Sequence, residues 1–338
     1  MRSQTIIELS VVTALLLAVQ PPADAQVGVA AQGTNVTLIW PSTVGDFFQI
    51  EQRPTFTNGT WLPLASNLFA SNPGTNTAFT HSGALLSASR FYRVLQVPSP
   101  FTFNWTGTNF TYTDADRTFT GIMLKPAGNG PFAGVIINHG AGGTATGYSL
   151  PKAREMMPWG MVCIGPTLTH AAGGETNPVN MGNCPENNAR AVACANVLAT
   201  LPYVDTNRLA VFGHSMGAFA TIGDAAVMVG RVRAAAMTSG GVITTGTNNA
   251  TPTLAEADPV RAPFIMFCCD ADPVVPPARS LLFQQVLVSN AVPNSRIIYS
   301  SNSIPNSSNW HNIQNDPNVN ADLLTNTFQW FHMHGVLP

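Results

Sequence analysis

Ser215 sits at the centre of Gly213-His214-Ser215-Met216-Gly217, a G-x-S-x-G pentapeptide. A serine hydroxyl is a poor nucleophile until a base removes its proton, and that base needs an acid to orient it. Leu209–Phe212 reads as a buried strand immediately before the pentapeptide, and Ala218–Ile222 begins a helix immediately after it. A nucleophile elbow requires that order, because its serine occupies a strained conformation on a sharp strand-to-helix turn. Glycines are expected at 213 and 217, where side chains would collide across the turn. An ordinary βα turn with glycines is the plainer reading of the same five residues.

The acid and the base are sought downstream. Pro263–Cys268 reads as a strand that ends in Cys269-Asp270-Ala271-Asp272-Pro273-Val274-Val275-Pro276. Loops beyond the carboxyl ends of parallel strands collect catalytic side chains. Asp272 is the candidate acid and Asp270 its rival; before Pro273, Asp272 also fits a simple turn or helix-cap residue. Beyond Asp272 stand His311, His332 and His334. His311, in the loop Ser307–Asn312, is the candidate base, and the other two fit solvent-facing or packing positions near the end of a terminal helix, Leu323–His334. Phe132–Asn138 leads into His139-Gly140-Ala141-Gly142-Gly143, a flexible loop able to aim backbone N–H groups inward. The Ala141 and Met216 N–H groups are the expected oxyanion donors, worth ~3–4 kcal/mol each. His139 reads as a brace for that loop and His214 as a support of the elbow. His170 lies in the polar segment Thr167–Cys184, the expected wall of the cleft, and reads as a substrate contact.

The elements that must position these residues occupy 101–338. Two strands are expected first, Phe103–Thr113 and Thr118–Leu124, with a turn at Asp114-Ala115-Asp116. Short apolar runs then recur at Phe132–Asn138, Met161–Gly165, Arg208–Gly213, Ala234–Thr238, Pro263–Cys268 and Arg296–Ser300. Helix-length segments lie between them at Pro185–Leu201, Met216–Gly230 and Ala278–Asn290. Continuous apolar strands alternating with helices predict an α/β fold, a mainly parallel sheet covered on both faces. Residues 27–97 instead show short alternating runs punctuated by Gly, Asn and Pro, the pattern of a small all-β sandwich. Pro98-Ser99-Pro100 joins the two as a linker.

Charged residues make up 9% of the chain and the formal net charge is −2. That balance excludes an electrostatic nucleic-acid binder, which needs a basic face. Hydrophobic residues reach 45%, enough for a core and too many for charge-driven disorder. Arg2, the apolar run Leu9–Val19 and the small-residue site Ala23-Asp24-Ala25 have the order of a secretory signal peptide, residues 1–25. The run is too short to span ~30 Å of hydrocarbon, so the mature protein is expected to be exported without a transmembrane segment. With five cysteines, at least one is unpaired. Cys184 and Cys194 are the pair able to bridge in an oxidising compartment, and Cys163 reads as a buried small hydrophobe. Cys268 and Cys269, adjacent in a strand, are expected to point to opposite faces. No C-x-x-C pair occurs, and His332-x-His334 is too little for a metal site.

Residues 101–338 resemble the α/β-hydrolase superfamily, specifically the exported serine esterases related to dienelactone hydrolases and cutinase-like polyester hydrolases. His139-Gly140 with Gly142-Gly143, Tyr203–Arg208, Gly213–Gly217, Asp272–Pro276 and His311 carry the likeness. The resemblance implies a Ser-His-Asp triad of Ser215, His311 and Asp272 and no cofactor. Dienelactone hydrolases proper use a cysteine nucleophile where this chain has Ser215, which argues against that narrow activity. The cutinase-like group carries an aromatic residue where Ala141 stands, so a platform for an aromatic acyl group is missing. The family often has His-Gly where Cys268-Cys269 stand. Residues 27–97 resemble fibronectin-type-III-like modules of exported bacterial proteins through Trp40, Gln49–Arg53 and Phe91-Tyr92-Arg93. A spacer or stabilising role is expected of them ahead of substrate binding, because Trp40 and Phe91 suit a sandwich core. The expected activity is hydrolysis of small or polymeric neutral esters. A prolyl-oligopeptidase-like peptidase and a non-catalytic binding protein on the same scaffold are the alternatives.

Overall fold

The computed structural model describes residues 4–10, 16–17, 27–55, 58–71, 74–86, 89–246 and 250–338. The chain forms two compact units, one built on Met1–Thr102 and one on Phe103–Leu198 with Tyr203–Pro338. The expected cleavage site, Ala23-Asp24-Ala25, lies outside the described residues.

In the first unit the alternating runs of 27–97, together with two strands from the leader-like stretch, form two small antiparallel sheets. One orders Gly28–Gln32, Asn35–Pro41 and Asn76–His81; the other orders Leu16–Leu17, Gln4–Ser10, Ser89–Val97, Phe47–Arg53 and Leu62–Phe69. Successive strand residues face opposite sides, so Val36, Leu38 and Trp40 are buried while Ile39 faces out. They share a core with Phe48, Ile50, Tyr92 and Val94, with Trp40 edge-on to Phe48 at 5.4 Å. Trp40 and Phe91 are both buried, leaving neither ring as an exposed platform.

A nine-stranded sheet organises the rest of the chain. Its strands are β1 (Thr102–Thr106), β2 (Asn109–Thr113), β3 (Thr118–Leu124), β4 (Phe132–Asn138), β5 (Met161–Pro166), β6 (Val204–His214), β7 (Val232–Thr238), β8 (Phe264–Cys269) and β9 (Asn294–Tyr299). The helices are α1 (Leu150–Met156), α2 (Pro185–Thr200), α3 (Met216–Val227), α4 (Leu254–Ala257), α5 (Ala278–Ser289) and α6 (Pro317–Met333). The spatial order is β9-β8-β7-β6-β4-β5-β3-β2-β1. From β5 to β9 the neighbours run parallel, and β3 and β2 join antiparallel.

Helices on both faces require apolar strands, and β5 and β8 are buried at every position. Val135, Ile137, Phe212, Ile265 and Phe267 pack against Met156 of α1 and Leu323 and Phe331 of α6. Intervening residues meet the opposite helices. Cys269 therefore joins the α1/α6 face, while Cys268 Sγ lies 3.5 Å from Ser280 Oγ of α5, the division expected of adjacent strand residues.

Three expectations need correction. Phe103–Thr113 is a hairpin rather than one strand, because Gly107 takes φ 61° between β1 and β2. The last helix starts at Pro317 rather than Leu323: Asp316 Oδ1 accepts from the Asn318 and Val319 N–H groups at 3.0 and 3.1 Å, and proline fits the first helical position. All five cysteines are buried free thiols, so Cys184 and Cys194 do not bridge. Cys184 precedes α2 and Cys194 lies within it; the helical rise separates them by about 15 Å, against a limit of about 7 Å between bridged Cα atoms.

The connections from the strands reverse direction between β4 and β6. Their carboxyl ends are level, with Asn138 paired to Gly213 and, next along, His214 paired to Thr238 of β7. Open α/β sheets bind ligands at such a switch point.

Candidate active site

Ser215 is the whole turn between β6 and α3. Its φ of 56° and ψ of −121° are rare for a residue with a side chain. The flanking glycines are steric requirements. A Cβ on Gly213 would lie 2.3 Å from Gly217 O, and one on Gly217 would lie 2.4 Å from Asn138 O. This tight packing of α3 against β6 and β4 holds the elbow in its strained form.

His311, between β9 and α6, places Nε2 2.8 Å from Ser215 Oγ. Its Nδ1 lies 2.9 Å from Asp272 Oδ2 and 3.0 Å from Oδ1. A carboxylate accepts, so Nδ1 carries the proton and Nε2 is free to accept from the serine hydroxyl. Asp272, in the loop after β8, is aimed by its own turn: Oδ1 accepts from the Val274 and Val275 N–H groups at 2.8 and 2.9 Å. Burial pushes its pKa up, but the hydrogen bonds from His311, Val275 and Val274 together hold it below the usual carboxylate range. Asp270 turns away and accepts from the Ser301 N–H at 2.7 Å. The structure thus joins Ser215, His311 and Asp272 and leaves Asp270 outside.

The loop after β4 reaches the same point. A Cβ on Gly140 would lie 3.2 Å from Ser215 Cβ, so this backbone abuts the serine. Ala141 follows and is exposed. Among the described residues neither the Ala141 nor the Met216 N–H donates a backbone hydrogen bond. Two uncommitted donors, one from each loop, therefore adjoin the serine. Such an arrangement is chemically suited to stabilising an oxyanion formed on attack by Ser215.

The sequence model of the dienelactone hydrolase family matches residues 119–335, more than half of the 338-residue chain. The chain belongs to the dienelactone hydrolase family. It is therefore a hydrolase of the α/β-hydrolase fold. Esterase 2 of the planctomycete Thermogutta terrifontis shares that fold. In its butyrate-bound form it has 14% identity, covers 70% of this chain and 95% of its own, and has a TM-score of 0.53. Its form phosphoramylated by tabun has 14% identity, 70% and 96% coverage and a TM-score of 0.53. A Klebsiella pneumoniae protein designated a dienelactone hydrolase has 17% identity, 64% and 94% coverage and a TM-score of 0.52. Among curated proteins, none matches the chain in sequence.

Within this dienelactone hydrolase fold, three further histidines surround the catalytic candidates. His214 Nε2 donates to Asn312 Oδ1 at 3.0 Å, and its Nδ1 meets Thr238 Oγ1 at 2.9 Å. Its ring lies between Tyr148 and His311, with centroids 5.6 and 5.2 Å away. Burial, helped by the neighbouring His311, pushes its pKa down to about 3. It supports the elbow as a neutral ring and is unsuited to be a base.

His170 is not placed as a substrate contact. It is 1% exposed, its Nε2 donates to His139 O at 3.0 Å, and its Nδ1 accepts from the Gly182 N–H at 3.2 Å. The His170 carbonyl accepts from the Gly142 N–H at 3.0 Å. His139 Nε2 accepts from the Leu168 N–H at 3.0 Å, which leaves Nδ1 to donate to Gly140 O at 2.9 Å. Burial lowers both imidazole pKa values, that of His170 to about 4. The segment Thr167–Cys184 braces the Gly140–Gly143 loop through these bonds.

Ser239 is absent from the sequence-derived set. It takes φ 50° just beyond β7, and its Oγ donates to the His311 carbonyl at 2.6 Å. His311 is thus held at its ring by Asp272, at its backbone by Ser239 and, through Asn312, by His214. The position of Ser239 beyond a parallel strand is the same signal that selected Asp272. Among the described residues, no group of three or more His, Cys, Asp or Glu side chains is placed to hold a metal ion, and no helix is long and apolar enough to cross a membrane.

Proposed function

We propose that the protein is an exported serine esterase that cleaves neutral carboxylic esters through an acyl-enzyme. The contact of His311 with both Ser215 Oγ and the Asp272 carboxylate carries this assignment. Ser215 Oγ attacks the ester carbonyl carbon as its proton passes to His311 Nε2. The Ala141 and Met216 N–H groups receive the oxyanion, and the Asp272 carboxylate stabilises the imidazolium. Collapse breaks the bond to the alcohol oxygen, which takes the proton from His311. Water then attacks the acyl-enzyme with the same base and releases the acid. The low pKa of Asp272 supports its role as a charge partner at neutral pH.

The butyrate and tabun forms of the Thermogutta esterase support a short acyl group and organophosphorus probes for this chain. Ala141, standing in for an aromatic residue, favours aliphatic over aromatic acyl groups. Export is proposed from the leader-like residues 1–25, and a spacer or stabilising role for the fibronectin-III-like stretch 27–97. A fluorophosphonate probe is expected to label wild type and not Ser215→Ala, with turnover on short-chain esters exceeding that on polymer film or peptide amides. Undiminished ester turnover by Ser215→Ala would refute the nucleophile, and a preference for peptide amides would return the assignment to a peptidase.

A further inference from the structure

Asn138 closes β4 shortly before the loop that carries Ala141, and its side chain is inserted into α3, the helix that starts at Met216. Both Nδ2 hydrogens are used: the nitrogen donates to Thr221 Oγ1 at 3.0 Å and to Asp224 Oδ2 at 2.7 Å. Thr221 Oγ1 donates onward to Gly217 O at 2.9 Å. Gly217, Thr221 and Asp224 share one face of α3 by their helical spacing, and that face is pressed against Asn138. All three side chains of the cluster, Asn138, Thr221 and Asp224, are 0% exposed.

Two oxygens here find no donor among the described residues, Asn138 Oδ1 and Asp224 Oδ1. A fully buried carboxylate with one neutral hydrogen-bond donor is costly, and each unmet buried acceptor adds to the cost. A single proton resolves both. We propose that Asp224 is carried as the neutral acid and closes a two-bond ring with the Asn138 carboxamide, Nδ2–H to Asp224 Oδ2 and Asp224 Oδ1–H to Asn138 Oδ1. Burial raises the pKa of this carboxyl well above its usual range, against the opposing pull of the Asn138 hydrogen bond. The titratable group that faces it from α2 is the buried Cys194 thiol, itself raised by burial and by Asp224. Arg190 of α2, which acts on Cys194, is paired to Glu186 at 2.9 Å.

The ring ties together the two elements from which the oxyanion donors hang, Ala141 beyond β4 and Met216 at the start of α3. Asp224 is then a positioning residue that touches no substrate. This role rests on the oxyanion assignment proposed above; the protonation does not.

Asp224→Asn preserves the ring with an amide, and Asp224→Leu removes it. The expected result is kcat within about threefold of wild type for Asp224→Asn. Asp224→Leu is expected to lose on the order of tenfold in kcat with KM within about twofold. Infrared spectra of protein carrying carbon-13 aspartate should show a protonated-carboxyl band at neutral pH that Asp224→Asn abolishes. Because the fold keeps a proton that the unfolded chain releases, wild type loses stability relative to Asp224→Asn as pH rises above the ordinary aspartate range. Absence of the band, or a stability gap that does not widen with pH, overturns the neutral acid. These two readouts need only wild type and Asp224→Asn, so they hold even where Asp224→Leu fails to fold. A folded Asp224→Leu with wild-type kcat overturns the positioning role alone. Full ester turnover by Ser215→Ala removes the oxyanion assignment and leaves the band and the gap as independent measures of the ring.

Discussion

Replacing His170 with glutamine removes an imidazole that the fold keeps neutral. Its pKa falls from 6.5 to about 4 on folding, chiefly through burial, and at 1% exposure solvent does little to screen the effect. Protonation would turn Nδ1, which accepts from the Gly182 N–H, into a donor facing a donor. A histidine with a depressed folded pKa stabilises the fold fully above its unfolded pKa and progressively less as pH falls towards the folded one. At about 1.4 kcal/mol per pH unit, the displacement corresponds to about 3 kcal/mol, lost between pH 6.5 and about 4. His139 and His214 act with the same sign and Asp224 with the opposite one. The informative quantity is therefore the difference between wild type and His170→Gln, measured by urea unfolding at several pH values. His170→Gln should be the less stable protein at about pH 7, and the gap should shrink by about 3 kcal/mol by about pH 4. Parallel stability curves for the two proteins across that window would show that His170 is not held neutral by the fold.

Other substitutions test the site directly. Asp272→Asn keeps an acceptor for the Val274 and Val275 N–H groups only by turning its amide nitrogen towards His311, which forces the imidazole proton onto Nε2. The expected loss is on the order of 10⁴ in kcat; a steady-state rate within tenfold of wild type would disprove it. Gly217→Ala drives a methyl into Asn138 O and His139 O at 2.4 and 2.5 Å. Thermal unfolding should report a loss of about 3 kcal/mol, and an unshifted midpoint would mean that α3 is free to move. Ser239→Ala deletes the donor to the His311 carbonyl. Single-turnover acylation should slow by about tenfold with KM little changed, and an unaltered rate would reduce Ser239 to a packing residue.

Much of the site was readable because its residues obey chain-order rules. Ser215, Asp272 and His311 each follow a strand of the parallel sheet, and the glycine pattern around Ser215 reports a steric demand that the Cβ distances reproduce. The parallel strands were readable as apolar runs because both faces are covered. What escaped was held by contacts with no sequence period. Ser239 acts through a main-chain carbonyl, Asn138 and Asp224 meet across 86 residues, and the neutrality of His170 depends on burial and on the Gly182 N–H that its Nδ1 accepts from. Helix α1 escaped because it follows an irregular turn, Ala145–Ser149, and carries Pro151 in its first turn. The hairpin of β1 and β2 escaped because Gly107 is its one strong breaker.

The five buried free thiols set how the chain can be handled and made. No disulfide ties one part of the fold to another, so adding or removing a reductant changes no cross-link. Native structure should be recoverable from denaturant without an oxidising buffer or a disulfide isomerase. Production in a reducing compartment should yield the same molecule as production in an oxidising one. The cost of that independence falls on unfolding: a chain opened in the presence of oxidant exposes Cys163, Cys184, Cys194, Cys268 and Cys269 together. Any bridge formed among them would be non-native and would block the return to the folded state.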